Sequence, residues 1–224
     1  MDWLSTTAGQ NLLLQEVAQA GRVLERVFGD QIVQIGSWGP PGLLLGSART
    51  QFSVLLGSID DTGMSAIVAA NQLAIRSDSI DAVILPHTLE LGADPHGVLR
   101  EVYRVLRPDG KLIVLGFNPF SWWGLRHQFS ANGFPPGVRR QVSQHRLADW
   151  LRLLGLGIDR VDACYAYAAI NRPARLLRRS NWFASSYVLV ATKETIPMTI
   201  IRPRARRRAR LVESFVNPTT RNVT

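Results

Sequence analysis

Cysteine is almost absent from this chain, which has a single one, Cys164, among 224 residues. One cysteine excludes a disulfide framework and any zinc or iron–sulfur site built on several thiolates, and it is typical of proteins in a reducing compartment. No apolar run reaches the ~20 residues that a helix needs to span a bilayer. Residues 1–4 lack the basic stretch followed by an apolar one that marks a secretory signal. These absences predict a soluble, cytoplasmic protein.

Acidic side chains are scarce in the second part of the chain. Residues 101–224 hold 21 of the 26 Lys and Arg residues but only 7 of the 17 Asp and Glu residues. Such an excess attracts an anionic partner, either nucleic acid or a lipid surface. The alternative is a solvated tail without a fixed partner. The excess is densest in one run of arginines: Arg202, Arg204, Arg206, Arg207, Arg208 and Arg210.

The length and the 46% share of hydrophobic residues predict one packed domain. We place this domain at residues 1–196 and a basic, disordered tail at 197–224. Apolar spacing and capping residues predict helices over 10–28, 95–106 and 143–154. Short β-branched runs predict strands over 31–35, 52–56, 66–69, 81–85, 111–117, 158–165 and 187–192. This alternation indicates an α/β, Rossmann-like three-layer sandwich built on a mostly parallel sheet.

The middle of the chain carries a specific motif. The segments 77–90 and 94–110, which contain His87, Glu90, Glu101 and the turn Arg107–Gly110, resemble class I S-adenosylmethionine-dependent methyltransferases, in particular the group that includes the quinone-biosynthesis C-methyltransferases. The resemblance implies a seven-stranded sheet of order 3-2-1-4-5-7-6 with an antiparallel last strand. It also implies S-adenosylmethionine as cofactor. Only nine residues, Gly57–Ser65, separate the second and third predicted strands, so we expect that edge of the sheet to be abbreviated.

The cofactor residues that the resemblance implies depart from the family pattern. Gly36 keeps the first glycine of the loop after strand one, but Gln34 replaces an acid and Trp38 replaces a second glycine. Neutral side chains can still hydrogen-bond a nucleoside. The residues that match the cofactor positions, or lie beside them, are Gln34, Gly36, Ser37, Trp38, Gly39, Ser58, Asn71, Gln72 and His87.

His87 follows the fourth predicted strand and is the candidate catalytic residue, as a general base or in orienting the substrate. The alternative is a structural hydrogen bond within that loop. Methyl transfer needs no metal, and the four histidines show no ligand-like pairing. We therefore predict no metal site.

An aromatic segment follows the fifth predicted strand, where class I methyltransferases usually contact their substrates. We predict a lid over residues 118–142 with Gly124 as one possible hinge. Stacked rings there favour a small or lipophilic acceptor. The alternative is that the same rings only pack the lid onto the core. The candidate substrate-binding residues are Asn118, Phe120, Trp122 and Trp123.

The sequence thus predicts an enzyme that methylates a small or lipophilic molecule. One alternative is an RNA methyltransferase that uses the basic C-terminal half, including residues 170–183. Another is a non-catalytic scaffold, which would follow if the Trp38 indole filled the adenosyl site. A nicotinamide-dependent oxidoreductase is disfavoured because Gly36, Gly39 and Gly42 have the wrong spacing for a pyrophosphate loop.

Overall fold

A computed structural model of the chain describes residues 2–58, 63–129, 134–165 and 184–194. Its centre is a seven-stranded sheet of order β3-β2-β1-β4-β5-β7-β6. The strands are β1 (Gln31–Ile35), β2 (Phe52–Gly57), β3 (Ala66–Ile67), β4 (Ile80–Pro86), β5 (Leu106–Phe117), β6 (Leu156–Cys164) and β7 (Ser186–Lys193). Only β7 runs antiparallel to its neighbours. The fold class and strand order expected from the resemblance are confirmed.

Five α-helices flank this sheet in the part of the chain that the structure describes. They are α1 (Thr7–Leu24), α2 (Thr88–Leu91), α3 (Pro95–Val105), α4 (Trp122–Phe129) and α5 (Gln144–Leu153), with 3-10 turns at Asp2–Ser5 and Leu43–Ser47. Side chains cap three of the helices: Thr6 caps α1, Asp94 caps α3 and Ser143 caps α5. Each cap oxygen accepts a backbone N–H that has no partner within its helix.

Two apolar cores lie on opposite faces of the sheet, which makes three layers. On one face, α3 and α5 bury residues such as Leu99, Val102 and Leu151. On the other face, α1 and the first 3-10 turn bury Leu12, Leu24 and Trp3. Burial on both faces explains why the central strands are continuous runs of apolar residues rather than alternating ones.

Several predicted boundaries were wrong. The first helix ends at Leu24 and not at Phe28, whose side chain is 74% exposed. The predicted turn 107–110 lies inside β5 as an irregularity, because Ile80 pairs with Leu106 but Ala82 pairs with Lys111. The expected abbreviation of the sheet edge is seen in β3, which has only two residues and pairs in parallel with β2.

Some expectations fall outside the described residues. They include the domain boundary at 196, the arginine run at 202–210 and the basic and aromatic residues between 170 and 183. No helix in the described ranges has the length and apolar character required to cross a membrane.

Candidate functional site

A cavity of about 530 Å³ lies at the carboxyl ends of β1, β2 and β4. Loops after these strands and the short helix α2 form its walls. In parallel sheets the loops at this edge are where ligands bind. The lining residues are Ile35, Gly36, Ser37, Gly57, Ser58, Val68, Ala69, Ala70, Thr88, Leu91, Gly92, Ala93, Gly137 and Arg139.

Gly36 keeps one wall of the cavity open. Its φ is +98°, a conformation that favours glycine, and its N–H donates to the Leu56 carbonyl oxygen at 2.7 Å. A Cβ atom at this position would lie 2.8 Å from the Thr88 hydroxyl oxygen. That hydroxyl is fixed by donating to the Ile35 carbonyl oxygen. Any side chain at Gly36 would therefore push against the cavity wall.

Trp38 turns away from the cavity. Its side chain is buried on the α1 face of the sheet, where the indole N–H donates to Glu16 Oε2 at 2.8 Å. Gly39 lies in the same loop and packs against Leu13 of α1. A Cβ atom at Gly39 would lie only 2.9 Å from Leu13 Cδ2, which is closer than an ordinary contact. The Trp38 indole thus does not occupy this cavity. The scaffold interpretation required the indole to fill the adenosyl site.

Gln34 lies beside the same loop and is almost fully buried. Its Nε2 donates to the Gly36 carbonyl oxygen at 3.0 Å, while its Oε1 has no hydrogen-bond partner among the described residues. A buried acceptor without a donor is costly, so such an atom marks a place where a donor from a ligand or a water is stabilising.

His87 forms a buried charge network with two carboxylates. Its Nε2 lies 3.1 Å from Glu16 Oε1 and its Nδ1 lies 2.9 Å from Glu90 Oε2, with all three side chains buried. Burial alone lowers the pKa of His87, but the attraction of Glu16 and Glu90 exceeds this effect and raises the pKa to about 9. At neutral pH both ring nitrogens of His87 therefore carry protons and donate them.

This geometry does not suit His87 as a general base. A protonated imidazole with both N–H groups engaged has no lone pair to accept a proton from a substrate. The ring also lies between Phe117 and Trp38, with both centroid separations at 4.0 Å. His87 is not among the residues that line the cavity. The structural alternative weighed for this residue fits its position better.

Glu90 connects the network to the segment before α5. Burial raises its pKa, and its Oε1 accepts the Phe117 N–H at 2.7 Å. Its backbone carbonyl oxygen accepts the Arg139 N–H at 3.0 Å. One residue of α2 thus holds the end of β5 and the backbone at Arg139 in place.

Five aromatic rings pack together on the His87 side of the sheet: Trp3, Trp38, Phe117, Trp123 and Phe134. We refer to these five as the aromatic cluster. Trp3 is at its centre, with ring centroids 5.4 Å from Trp123 and 5.5 Å from Trp38. The first 3-10 turn therefore covers the region over β4 and β5.

The structure separates the four predicted substrate-binding residues. Trp123 belongs to the aromatic cluster, whereas Phe120 and Trp122 are 64% and 68% exposed. The Asn118 side chain binds backbone groups, donating to the Ala184 carbonyl oxygen at 3.0 Å and accepting from the Phe120 N–H at 3.1 Å. Phe120 and Trp122 thus lie on the outer surface, apart from Trp123.

Of the predicted cofactor residues, Gly36, Ser37 and Ser58 line the cavity. Asn71 and Gln72 are exposed beside it, and the Asn71 side chain hydrogen-bonds to Asp94. Sequence analysis missed the opposite wall, which Leu91–Ala93 and Arg139 supply. It also missed Glu16, although an acid between Leu13 and Ala20 on the apolar stripe of α1 is a signal of a buried ion pair.

Comparisons with known proteins agree with this architecture. Residues 60–114 match the methyltransferase domain family. The protein YafS of Escherichia coli K12, which is described as uncharacterized, is 33% identical over 147 residues, which make up 64% of this chain and 61% of YafS. This chain thus matches less than two thirds of that relative's length.

Solved structures show the same fold. A Thermotoga maritima S-adenosylmethionine-dependent methyltransferase, described as a possible histamine N-methyltransferase, has a TM-score of 0.63 at 18% identity, with coverage of 86% of this chain and 93% of that one. The methyltransferase of a Haloferax volcanii complex with the activator Trm112 has a TM-score of 0.61 at 16% identity, with coverage of 87% and 97%.

The chain therefore has the class I methyltransferase fold, and residues 60–114 match the methyltransferase domain family. The narrower likeness to quinone-biosynthesis enzymes stays a prediction.

Proposed function

We propose that this protein is an S-adenosylmethionine-dependent methyltransferase whose cofactor binds in the cavity beside Gly36. The observation that carries the proposal is the position of that cavity. It opens at the carboxyl ends of β1, β2 and β4, where doubly wound sheets bind nucleotides. A volume of about 530 Å³ lies within the range of roughly 300–1,000 Å³ typical of small-molecule sites.

The lining suits a nucleoside with a short polar chain. Gly36, Gly57 and Gly92 give close access to the backbone, and Ser37 and Ser58 bring hydroxyl groups. These residues would hold the cofactor, together with the small apolar wall at 68–70. Among the described lining residues none is acidic, so the ribose hydroxyls would bind neutral acceptors such as Ser58 instead of a carboxylate.

The cofactor, when bound, supplies an activated methyl group on a sulfonium. The protein then has to orient the acceptor and exclude water. The aromatic cluster and the buried His87 network pack over β4 and β5, and both ring N–H groups of His87 are engaged by Glu16 and Glu90, so the ring has no lone pair to accept a proton. We therefore infer that the acceptor is a small or lipophilic molecule whose nucleophilic atom needs no base from His87.

Isothermal titration with S-adenosylhomocysteine and S-adenosylmethionine tests this function. We expect binding that Gly36→Ala weakens about tenfold or more, because the new methyl group would press on Thr88. Gly42→Ala is the matched control. Its φ is +75°, so it carries similar backbone strain, but nothing lies within 4 Å of the added Cβ atom.

We expect Gly42→Ala to bind like the unsubstituted protein. No heat from either nucleoside at millimolar concentration would rule out the proposed function, and equal losses in the two variants would place the cofactor elsewhere. The RNA alternative depends on residues outside the described ranges and is tested by truncation, as argued in the Discussion.

A further inference from the structure

A second cavity, of about 380 Å³, lies next to the first. It is formed by the starts of α3 and α5 and by the end of the lid. Arg139 lines both cavities. The full lining is His96, Arg139, Arg140, Gln141, Val142, Arg146 and Trp150.

Three arginines line this cavity and lack a counter-ion among the described residues. They are Arg139, Arg140 and Arg146, and none of them forms an ion pair with a described acidic residue. The described lining contains no carboxylate. Like charges that share a concave surface raise its positive potential and attract an anion.

One contact each holds Arg140 and Arg146 in place. The Arg140 side chain donates through Nη2 to the Ala93 carbonyl oxygen at 2.8 Å. The Arg146 guanidinium lies 5.3 Å from the centre of the Trp150 ring. The Trp150 ring also contacts the His96 ring, with 4.1 Å between the two ring centroids. Arginine that stacks on an aromatic ring keeps its N–H groups free to bind oxygen atoms.

The helix starts add to the positive potential. His96 is the second residue of α3, and Arg146 is the third residue of α5. The N-terminal end of a helix carries a partial positive charge. The Asp94 carboxylate offsets part of this charge at α3, where it accepts the Gly97 N–H at 2.8 Å. At α5 the cap is the neutral Ser143 hydroxyl.

We propose that this second cavity binds a phosphate group of a nucleotide ligand, either a free nucleotide or the backbone of an RNA. A guanidinium group can bind two oxygens of one phosphate through two parallel N–H groups. The three arginines border a space that is too small for a whole nucleic acid but large enough for one or two phosphates. The site needs no methyl transfer, so it stands independently of the function proposed above.

The test is isothermal titration of the full chain with pyrophosphate, ADP and a short single-stranded RNA at low salt. We expect pyrophosphate to bind, and Arg146→Gln to weaken its affinity about tenfold. Arg146→Lys should restore part of the loss because it keeps the charge but not the paired geometry. The matched control is Arg152→Gln, which removes the same charge from an exposed arginine of α5 that pairs with Asp149.

We expect Arg152→Gln to leave the affinity unchanged, and both Gln variants to keep their affinity for S-adenosylhomocysteine. Tighter binding of ADP or of the RNA than of pyrophosphate would identify the source of the phosphate. Absence of pyrophosphate binding, or equal losses in Arg146→Gln and Arg152→Gln, would overturn the proposal. Melting temperatures of all variants show whether each one is folded.

Discussion

The imidazole of His87 compensates two buried carboxylates, so its protonation state matters to the whole domain. Glu16 reaches it from α1 and Glu90 from α2, which lie far apart in sequence. Removing one partner from such a buried group leaves an uncompensated charge, which typically costs about 3–5 kcal/mol. The network thus links α1 to the short helix α2 that follows β4.

This network predicts a loss of stability at alkaline pH. The pKa of His87 rises from 6.5 to about 9 on folding. A raised pKa stabilises the folded state fully below pH 6.5, and the gain of about 3 kcal/mol disappears as the pH rises through 9. Urea unfolding between pH 6 and pH 9.5 measures this decline.

The ring itself gives an independent readout of the same effect. In histidine NMR spectra we expect the His87 signal to titrate near pH 9. His145→Asn, at an exposed histidine, is the control for stability and should keep the alkaline decline. A His87 ring whose pKa lies near the ordinary histidine value of about 6.5 would contradict the proposed ion pairs.

From the position of Trp38 we predict that its substitution lowers the stability of the protein but leaves the affinity for the cofactor product unchanged. Trp38→Phe removes the N–H that Glu16 accepts, which leaves a buried carboxylate oxygen short of one donor and costs about 1–3 kcal/mol. Because the indole lies outside the cavity, we expect the affinity for S-adenosylhomocysteine to change less than about twofold in a variant that stays folded. Urea unfolding and calorimetry measure the two effects. A gain in affinity would mean that Trp38 occupies the site in solution.

Among the elements, the first 3-10 turn can pack against α1 only because Gly9 of that helix has no side chain. A Cβ atom on Gly9 would lie 2.4 Å from the Trp3 carbonyl oxygen, so Gly9→Ala must displace the turn that carries Trp3. Overpacking of this kind costs about 1–3 kcal/mol. We expect a lower melting temperature and a change in tryptophan fluorescence as Trp3 leaves the aromatic cluster.

Gly46→Ala is the control for that experiment, since nothing lies within 4 Å of its added Cβ atom. It should leave both signals near those of the unsubstituted protein. If Gly9→Ala left them unchanged as well, Trp3 would not cover the cluster in solution.

Local signals let the sequence predict most of the elements but not the site. Asp94 followed by Pro95 marks the start of α3, and the structure shows that cap in place. The end of α1 was wrong because Phe28 continues the apolar stripe, yet its side chain finds no core to enter. The His87 network joins residues 71 positions apart. Local periodicity contains no information on such a contact.

For the molecule as a whole, Lys193 links the end of β7 to α3 and to the start of β5. Its Nζ donates to the Tyr103 and Leu106 carbonyl oxygens, both at 2.8 Å, and to Asp78 at 2.7 Å. Lys193→Met would leave those buried carbonyl groups without their donor, at a cost of about 1–3 kcal/mol. Nothing past Glu194 is needed for these contacts.

We predict that deleting residues 197–224 keeps the stability of the domain and its affinity for S-adenosylhomocysteine, because the described contacts that hold the sheet and line the cavity all lie before that segment. The deletion removes the six arginines at 202–210, so it should weaken binding to RNA and reduce the salt dependence of that binding, since fewer counterions are released. Urea unfolding, calorimetry and RNA titrations at several salt concentrations distinguish these effects. If the deletion left RNA affinity and its salt slope unchanged, the arginine run would not be an RNA-binding segment.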